Sequence, residues 1–297
     1  MYKVLAITLC VKLLGLHSFA QVKKQFMVEK NEKCDKIELS LKTKTGNCFI
    51  RPSQNQDLLD IYSSQNLEEY SHSFSKEVKG KTCVIKLSLE QENQRGVGRK
   101  ISRQVFGMDE RSNDKFWKVY LAEGVSYALD LDYGLGNANI DLAGLTINKL
   151  KINTGSADVN VSYSSDQENK IEMDTFSIKV NMGSVAAHQL NLTRSKYVLA
   201  DVGFGNMLLD FSDKPIMPHR VKGTVGAGNL IIHLPPQDVP VIVYVSDSWL
   251  CSVNLSRNLK KIAPNTFANS SYSKNAKAIL TFDLDVSMGK IVFKEGR

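Results

Sequence analysis

Val202-Gly203-Phe204-Gly205-Asn206-Met207-Leu208-Leu209-Asp210-Phe211 is the stretch whose reading decides the fold. Counted from Gly205, the residues two, four and six places on are Met207, Leu209 and Phe211, all apolar, with polar Asn206 and Asp210 among the residues between them. Alternation of this kind is the signature of a strand with one buried face. Upstream, Ala200 and Val202 form a second alternating run that leads into the Gly203-Phe204-Gly205 corner. One glycine-bearing corner thus joins two short strands.

The same unit recurs around Gly136, Gly155, Gly183 and Gly228. The apolar triplets that follow are Ala138-Ile140-Leu142, Ala157-Val159-Val161, Val185-Ala187-Gln189 and Leu230-Ile232-Leu234, in which Gln189 is the one polar member. The corners read Gly134-Leu135-Gly136, Asn153-Thr154-Gly155, Asn181-Met182-Gly183 and Gly226-Ala227-Gly228. Gly and Asn tolerate positive φ, so the corners are expected to turn through it. A last copy, Val286-Ser287-Met288-Gly289-Lys290-Ile291-Val292-Phe293, lies close to the end of the sequence.

Successive anchor glycines stand 19, 28, 22, 23 and 61 residues apart. The first four intervals suit one coil of a β-solenoid, a stack of short repeats that bury a continuous core only together. A β-sandwich with glycine turns is the alternative. It explains alternating strands but not a corner recurring in one register. The longest interval holds room for a degenerate coil, Val241-Val243-Val245 followed by Trp249-Cys251-Val253-Leu255, entered through Pro235-Pro236 and Pro240. Polar residues 256–278 read as an insert leaving the coil.

Residues 21–124 carry fainter copies. Leu39-Ser40-Leu41 precedes Thr45-Gly46-Asn47, and Cys83-Ile85-Leu87-Leu89 alternates cleanly. This segment is expected to supply degenerate first coils ahead of the main solenoid at 125–297, although Leu58 to Tyr70 could form a short amphipathic helix. Cys48 and Cys83, if both face inward on neighbouring coils, are the preferred disulfide. Four cysteines beyond residue 20 allow three full pairings, and no Cys-x-x-Cys suggests a zinc ribbon or redox pair.

Residues 1–20 pair an early Lys3 with a short apolar run and end in Ser18-Phe19-Ala20, the pattern of a secretory signal. Lys12 interrupts the run, which is too short for a transmembrane anchor. The protein is therefore expected to be exported to the periplasm, the outer surface or the medium. The full chain carries 38 basic and 31 acidic residues, a net charge of +7. Its densest basic group, Arg95, Arg99, Lys100 and Arg103, lacks the interleaved aromatics of a nucleic-acid groove.

Chemistry-bearing motifs are sparse. The Gly-x-Gly corners lead into strands and lack a third glycine, unlike a dinucleotide loop. Asp141, Asp210, Asn160, His188 and His233 share one offset after the anchor, too poor in acids for a calcium roll. The outward Asp130 and Asp132, with Asp141, are the nearest approach to the carboxylate cluster of a carbohydrate-active β-helix. His188 and His233 would lie on one outer face with two coils between their units. No cofactor, metal or catalytic residue is expected. Asn160, Asn191, Asn254 and Asn269 head Asn-x-Ser/Thr triplets, which matter only in a eukaryotic secretory route.

Taken with Trp117-Lys118-Val119-Tyr120-Leu121, Thr154-Gly155-Ser156-Ala157-Asp158-Val159 and the run from Val225 to Leu234-Pro235, the corner units resemble the bacterial toast-rack and adhesin family. The resemblance is clear over roughly 115–255. It implies a right-handed parallel β-solenoid in the cell envelope, non-catalytic, meeting an envelope protein or glycan through its surface. Relatives joined to envelope-stress sensing make an accessory or sensor role the alternative. Gln189 and the polar insert depart from the family pattern.

Overall fold

A computed structural model describes residues 23–30, 34–53, 55–64, 71–90, 116–272 and 280–296. The strands are β1 (Lys23–Val28), β2 (Lys36–Ser53), β3 (Leu59–Ser63), β4 (Ser71–Lys79), β5 (Thr82–Glu90), β6 (Phe116–Ala122) and β7 (Ser126–Asp141). There follow β8 (Thr146–Thr154), β9 (Asp158–Ser162), β10 (Met173–Val180), β11 (Ser184–Ala187), β12 (Ser195–Val202), β13 (Asn206–Asp210), β14 (His219–Val225) and β15 (Asn229–Leu234). The last are β16 (Val241–Asp247), β17 (Ser252–Asn254), β18 (Lys260–Ala263), β19 (Thr266–Ala268), β20 (Leu280–Val286) and β21 (Lys290–Glu295). The signal segment and the Arg95 to Arg103 cluster lie outside the described residues.

The fold is a parallel β-solenoid rather than a sandwich. Each coil has two legs, one on either side of the corner. First legs pair in parallel in the order β5, β2, β7, β8, β10, β12, β14, β20, β16. Second legs run β6, β2, β7, β9, β11, β13, β15, β21, β17, where β2 and β7 bend through the corner as single strands.

Chain order and stacking order part company at both ends. The coil made by β2 lies between the later β5/β6 coil and β7, and the last coil in sequence, β20/β21, is inserted between β14/β15 and β16/β17. The first and last coils are therefore each second from an end. Beyond them three of the four outermost strands are covered by antiparallel neighbours: β4 on β5, β3 on β6 with β1 beyond it, and β19 on β16 with β18 beyond it. Such caps occupy edges that would otherwise template pairing with another chain. The stretch expected as a polar lobe contributes the β18–β19 hairpin to one cap. Leu59–Ser63, for which a short helix was the alternative, is strand β3, held antiparallel to both β1 and β6.

The core follows the parity of the repeat. Leu129, Leu131, Ile152, Ile178, Val202, Val225 and Val286 line it from the first legs, and Ile140, Val161, Ala187, Leu209, Ile232 and Phe293 from the second, all buried. Phe282 sits edge-on to both Phe211 and Phe293, with ring centroids 5.9 and 5.6 Å away. Gln189 does not enter this core. It adopts φ 53° and starts a 3-10 turn over Leu190–Thr193, which puts buried Leu190 inside instead. Its Oε1 accepts from Tyr163 N at 3.2 Å, and its amide donates to Asp166.

Coil connections are held by buried asparagines. Asn169 Oδ1 accepts from Ile147 N at 2.7 Å while its Nδ2 donates to Ile147 O and Ile171 O. Asn269 brackets the entry to β16 in the same way, accepting from Val241 N and donating to Val239 O. Both satisfy backbone groups that burial would otherwise strand.

The corner glycines are required for closeness more often than for φ. Among them Gly46 and Gly136 do turn through positive φ, at 110° and 116°. Gly183, Gly205, Gly228 and Gly289 do not. A Cβ on Gly205 or Gly228 would instead stand 2.2 Å from the carbonyl oxygen of the corner one coil back. The pairing also moves one anchor: Asn137 lies beside Asp158, and Ser184 beside Asp158, so Ala157 and not Gly155 matches Gly136 and Gly183. Gly155, Gly203 and Gly226 match Gly134 through bonds to the preceding coil from their own N–H groups.

The expected Cys48–Cys83 bridge is not formed. Cys83 pairs with Cys34, with Cα atoms 5.6 Å apart, and Cys48 is a buried free thiol. The reason is topological. Cys83 is in a first leg, opposite Ile37, whereas Cys48 is in a second leg between Trp117 and Ala138.

Candidate functional site

With the inward parity consumed by the core, any interaction chemistry lies on the outward positions, and stacking turns these into columns. On the first-leg face one column runs Ser40, Asp130, Lys151, Ser177, Leu199, Lys222, Asp283, Tyr244. Beside it runs Lys42, Asp132, Asn153, Lys179, Asp201, Thr224, Asp285.

Over the early coils these columns are sutured by charge. Lys151 lies 3.4 Å from Asp130, Lys42 4.0 Å from Asp132, and Lys179 3.0 Å from Asp201, each pair spanning adjacent coils. The groups are about half exposed, so each contributes little to stability. Asp130 and Asp132 are thus each paired with a lysine. Asp141 is far from them in role, at the end of β7, where it accepts from Ala143 N and Ser164 N at 3.1 Å. The three carboxylates do not converge.

Over the later coils the face changes character. Tyr197, Leu199 and Tyr244 stand outward at 43%, 36% and 42% exposure. Two shallow depressions of about 340 and 330 Å³ meet at Lys222 and Asp283, forming one groove along the stack. One end is lined by Leu199, Asp201, Thr224 and Asp285, the other by Arg220, Tyr244, Tyr272 and Thr281. Ala200 and Gly223, small and on the inward parity, form part of the floor. A Cβ on Gly223 would meet Leu284 Cδ2 at 2.7 Å, so the sheet closes on its own core here. The groove combines apolar ring faces with fixed cations, carboxylates and hydroxyls. The sequence signal for it was available: tyrosines at outward parity, in positions otherwise given to polar residues.

The second-leg face carries a different set of columns. Asn47 and Asn137 are joined by a side-chain hydrogen bond of 3.2 Å, and Asn229 donates to Asn206 at 2.8 Å. Next to that rail Ala186, Leu208, Ile231 and Val292 align as a half-exposed apolar stripe. The outer column contains His188, Asp210 and His233. One coil, not two, separates the histidines, and it supplies Asp210, whose carboxylate lies 3.6 Å from Nδ1 of each. Partial burial raises the Asp210 pKa, but the Ser212 hydroxyl and N–H and the two imidazoles outweigh it and hold it below the ordinary carboxylate value. The ladder lacks Asn160, because the shifted register of its coil puts Ser162 beside Asp141. Among the described residues no three His, Cys, Asp or Glu side chains gather as a metal site. Nor is any described helix long and apolar enough to cross a membrane.

Comparison with known proteins adds the following. Residues 18–183 match the family model described as the N-terminal domain of toast_rack, DUF2154. No curated protein matches. Among solved structures, a Clostridium sporogenes protein named for cell adhesion is 16% identical, with TM-score 0.42, covering 93% of this chain and 100% of that one. A Bacteroides fragilis protein named as an adhesin is 14% identical at 0.37, over 92% and 97% of the two chains. A Parabacteroides distasonis protein named for lipid binding is 11% identical at 0.37, over 92% and 96%. Likeness at these scores says nothing of what this chain binds.

Proposed function

Because the chain belongs to the toast-rack family, with the family model covering more than half of it, we propose that it is a non-catalytic, exported protein of the bacterial envelope with an adhesin-like role. It would hold a glycan chain along the first-leg groove. The observation that carries this reading is the groove itself, in which Tyr244 and Tyr272 stand beside Lys222 and Asp283, with Leu199 at the far end. Tyrosine rings bury sugar faces while presenting a hydroxyl to water, and ionised side chains at the same depth accept and donate to sugar hydroxyls. The groove is shallow and runs with the coils, which suits an extended polymer better than a small molecule that needs enclosure. Export is supported by the signal-like pattern of residues 1–20.

The test is a panel of purified envelope polysaccharides titrated against the protein and against a Tyr244→Ala, Tyr272→Ala variant. Binding of at least one glycan, lost in the variant with the melting temperature unchanged, is the expected result. Turnover of the bound glycan, abolished by Asp130→Ala or Asp132→Ala, would replace the non-catalytic reading. Cell fractionation supplies the second arm, and recovery of the protein from cytosol alone would sink the export claim.

A further inference from the structure

Each corner has a middle residue that faces neither leg, and stacking puts these residues in one line. Backbone hydrogen bonds set the register: Ser156 N donates to Gly134 O, Met182 N to Gly155 O, Phe204 N to Asn181 O, Ala227 N to Gly203 O and Met288 N to Gly226 O. The line reads Leu135, Ser156, Met182, Phe204, Ala227, Met288, and the turn of the outermost coil extends it with Trp249 and Leu250. Leu135, Met182, Phe204, Met288, Trp249 and Leu250 are 50%, 67%, 75%, 58%, 89% and 51% exposed. At roughly 4.8 Å per coil the ridge is about 29 Å long.

We propose that this ridge inserts into the interfacial region of a lipid bilayer, independently of the glycan groove. Contiguous exposed apolar side chains on a soluble protein mark an interaction surface. Three observations choose lipid as the occupant. The ridge is convex and one side chain wide, so a second copy offering the same ridge would touch it only along a line, whereas a bilayer deforms around it. The N–H groups of the corner middle residues are bonded to the preceding coil, so these donors enter an apolar layer already satisfied. Finally, the corner residues 134–136, 155–157, 181–183, 203–205, 226–228 and 287–289, and 248–250 of the outermost turn, contain no ionisable side chain, so the ridge residues themselves carry no charge into the layer.

The flanks say which lipid. On one side stand asparagines and serines with Asp158 and Lys290, on the other Asp132, Lys179, Asp201 and Asp285, with Lys179 paired to Asp201. Among the described residues the flanks of the ridge form no basic rim for an anionic headgroup. Insertion is therefore driven by apolar burial and works on neutral phospholipid, with Trp249 at the level its amphipathic ring prefers.

The experiment floats residues 21–297 with phosphatidylcholine vesicles at low and high salt. The chain has two tryptophans, of which Trp117 is 1% exposed and Trp249 89%. A blue shift of emission on mixing therefore reports Trp249. The expected result is flotation that high salt does not reverse, a blue shift, and a bound fraction about tenfold lower in Phe204→Ser, Trp249→Ser. Tyr197→Ser, Leu199→Ser on the first-leg face floats as the parent does. Both variants alter exposed side chains, and an unchanged melting temperature checks that they fold. Absence of flotation from neutral vesicles, or flotation insensitive to Phe204→Ser, Trp249→Ser, overturns the proposal. So does a dimer in light scattering that the same variant dissociates in the absence of lipid, which would assign the ridge to self-association.

Discussion

Cys34 and Cys83 are joined across the start of two neighbouring first legs, closing a span of 49 residues. The bridge ties the residues just ahead of β2 to the coil outside it. Reduction, or Cys34→Ser with Cys83→Ser, is expected to lower stability by about 2–4 kcal/mol. Urea denaturation of the oxidised and reduced protein measures it. In a thiol map of the native protein Cys251 reacts, whereas Cys48, buried and with its pKa pushed up to about 12 by that burial against a lowering hydrogen bond from Tyr133, reacts only on unfolding.

Gly228→Ala should be far costlier than Gly80→Ala. The added methyl at Gly228 would be 2.2 Å from Gly205 O, a backbone atom that cannot swing aside, and 2.8 Å from Val202 Cγ1. We expect a loss of about 3 kcal/mol, at the upper end for overpacking. Gly80 has positive φ but nothing within 4 Å of a Cβ, so its loss is about 1 kcal/mol. Paired thermal melts distinguish the two kinds of glycine.

His219 gives the fold an acid limit. It is buried, its Nδ1 lies 2.7 Å from Ser195 O, and burial lowers its pKa below the ordinary value near 6.5 despite that bond. The folded protein thus resists a proton that the unfolded chain accepts. Stability from this group is complete above the unfolded value and is lost as pH falls below it. The melting temperature should drop between pH 7.5 and 5, and His219→Phe should flatten that slope. An unchanged slope would show that other groups set it.

Ending the chain at Tyr272 tests the insertion of the last coil. Without β20 and β21, β16 and β17 lose the parallel neighbours that attach them to β14 and β15. Hydrogen exchange should show β16 to β19 unprotected and β10 to β13 protected nearly as before. Were β20/β21 an ordinary outer coil, β16 would keep its protection.

Parity was the legible part of this sequence. Met207-Leu209-Phe211 and its copies show which residues face inward whatever coil lies alongside, since parity is local to a strand. The two-residue shift of the Gly155 coil was hidden for the same reason: an even shift leaves every side chain on the same face. Stacking order was not legible, because β20 and β16 have equivalent apolar patterns and nothing in either says which neighbours β14. The disulfide failed with it, as Cys48 and Cys83 share parity but not a leg. The ridge was visible as corner residues Leu135, Met182, Phe204 and Met288, yet their exposure depends on a corner that points away from both faces, which only the coil shape supplies.

The threading of the first and last coils into second place has a mechanical meaning. A pull on the C-terminus meets β20/β21 gripped on both flanks by parallel strands, and a pull from the N-terminal side, once the edge strand β1 has peeled from β3, meets β2 gripped likewise. Strands at an open end can be peeled one hydrogen bond after another. A strand between two neighbours must break both rows under load. The arrangement converts unzipping into shear, so that a molecule tethered by one end and holding a ligand along its side would resist traction from the terminus through which it is held.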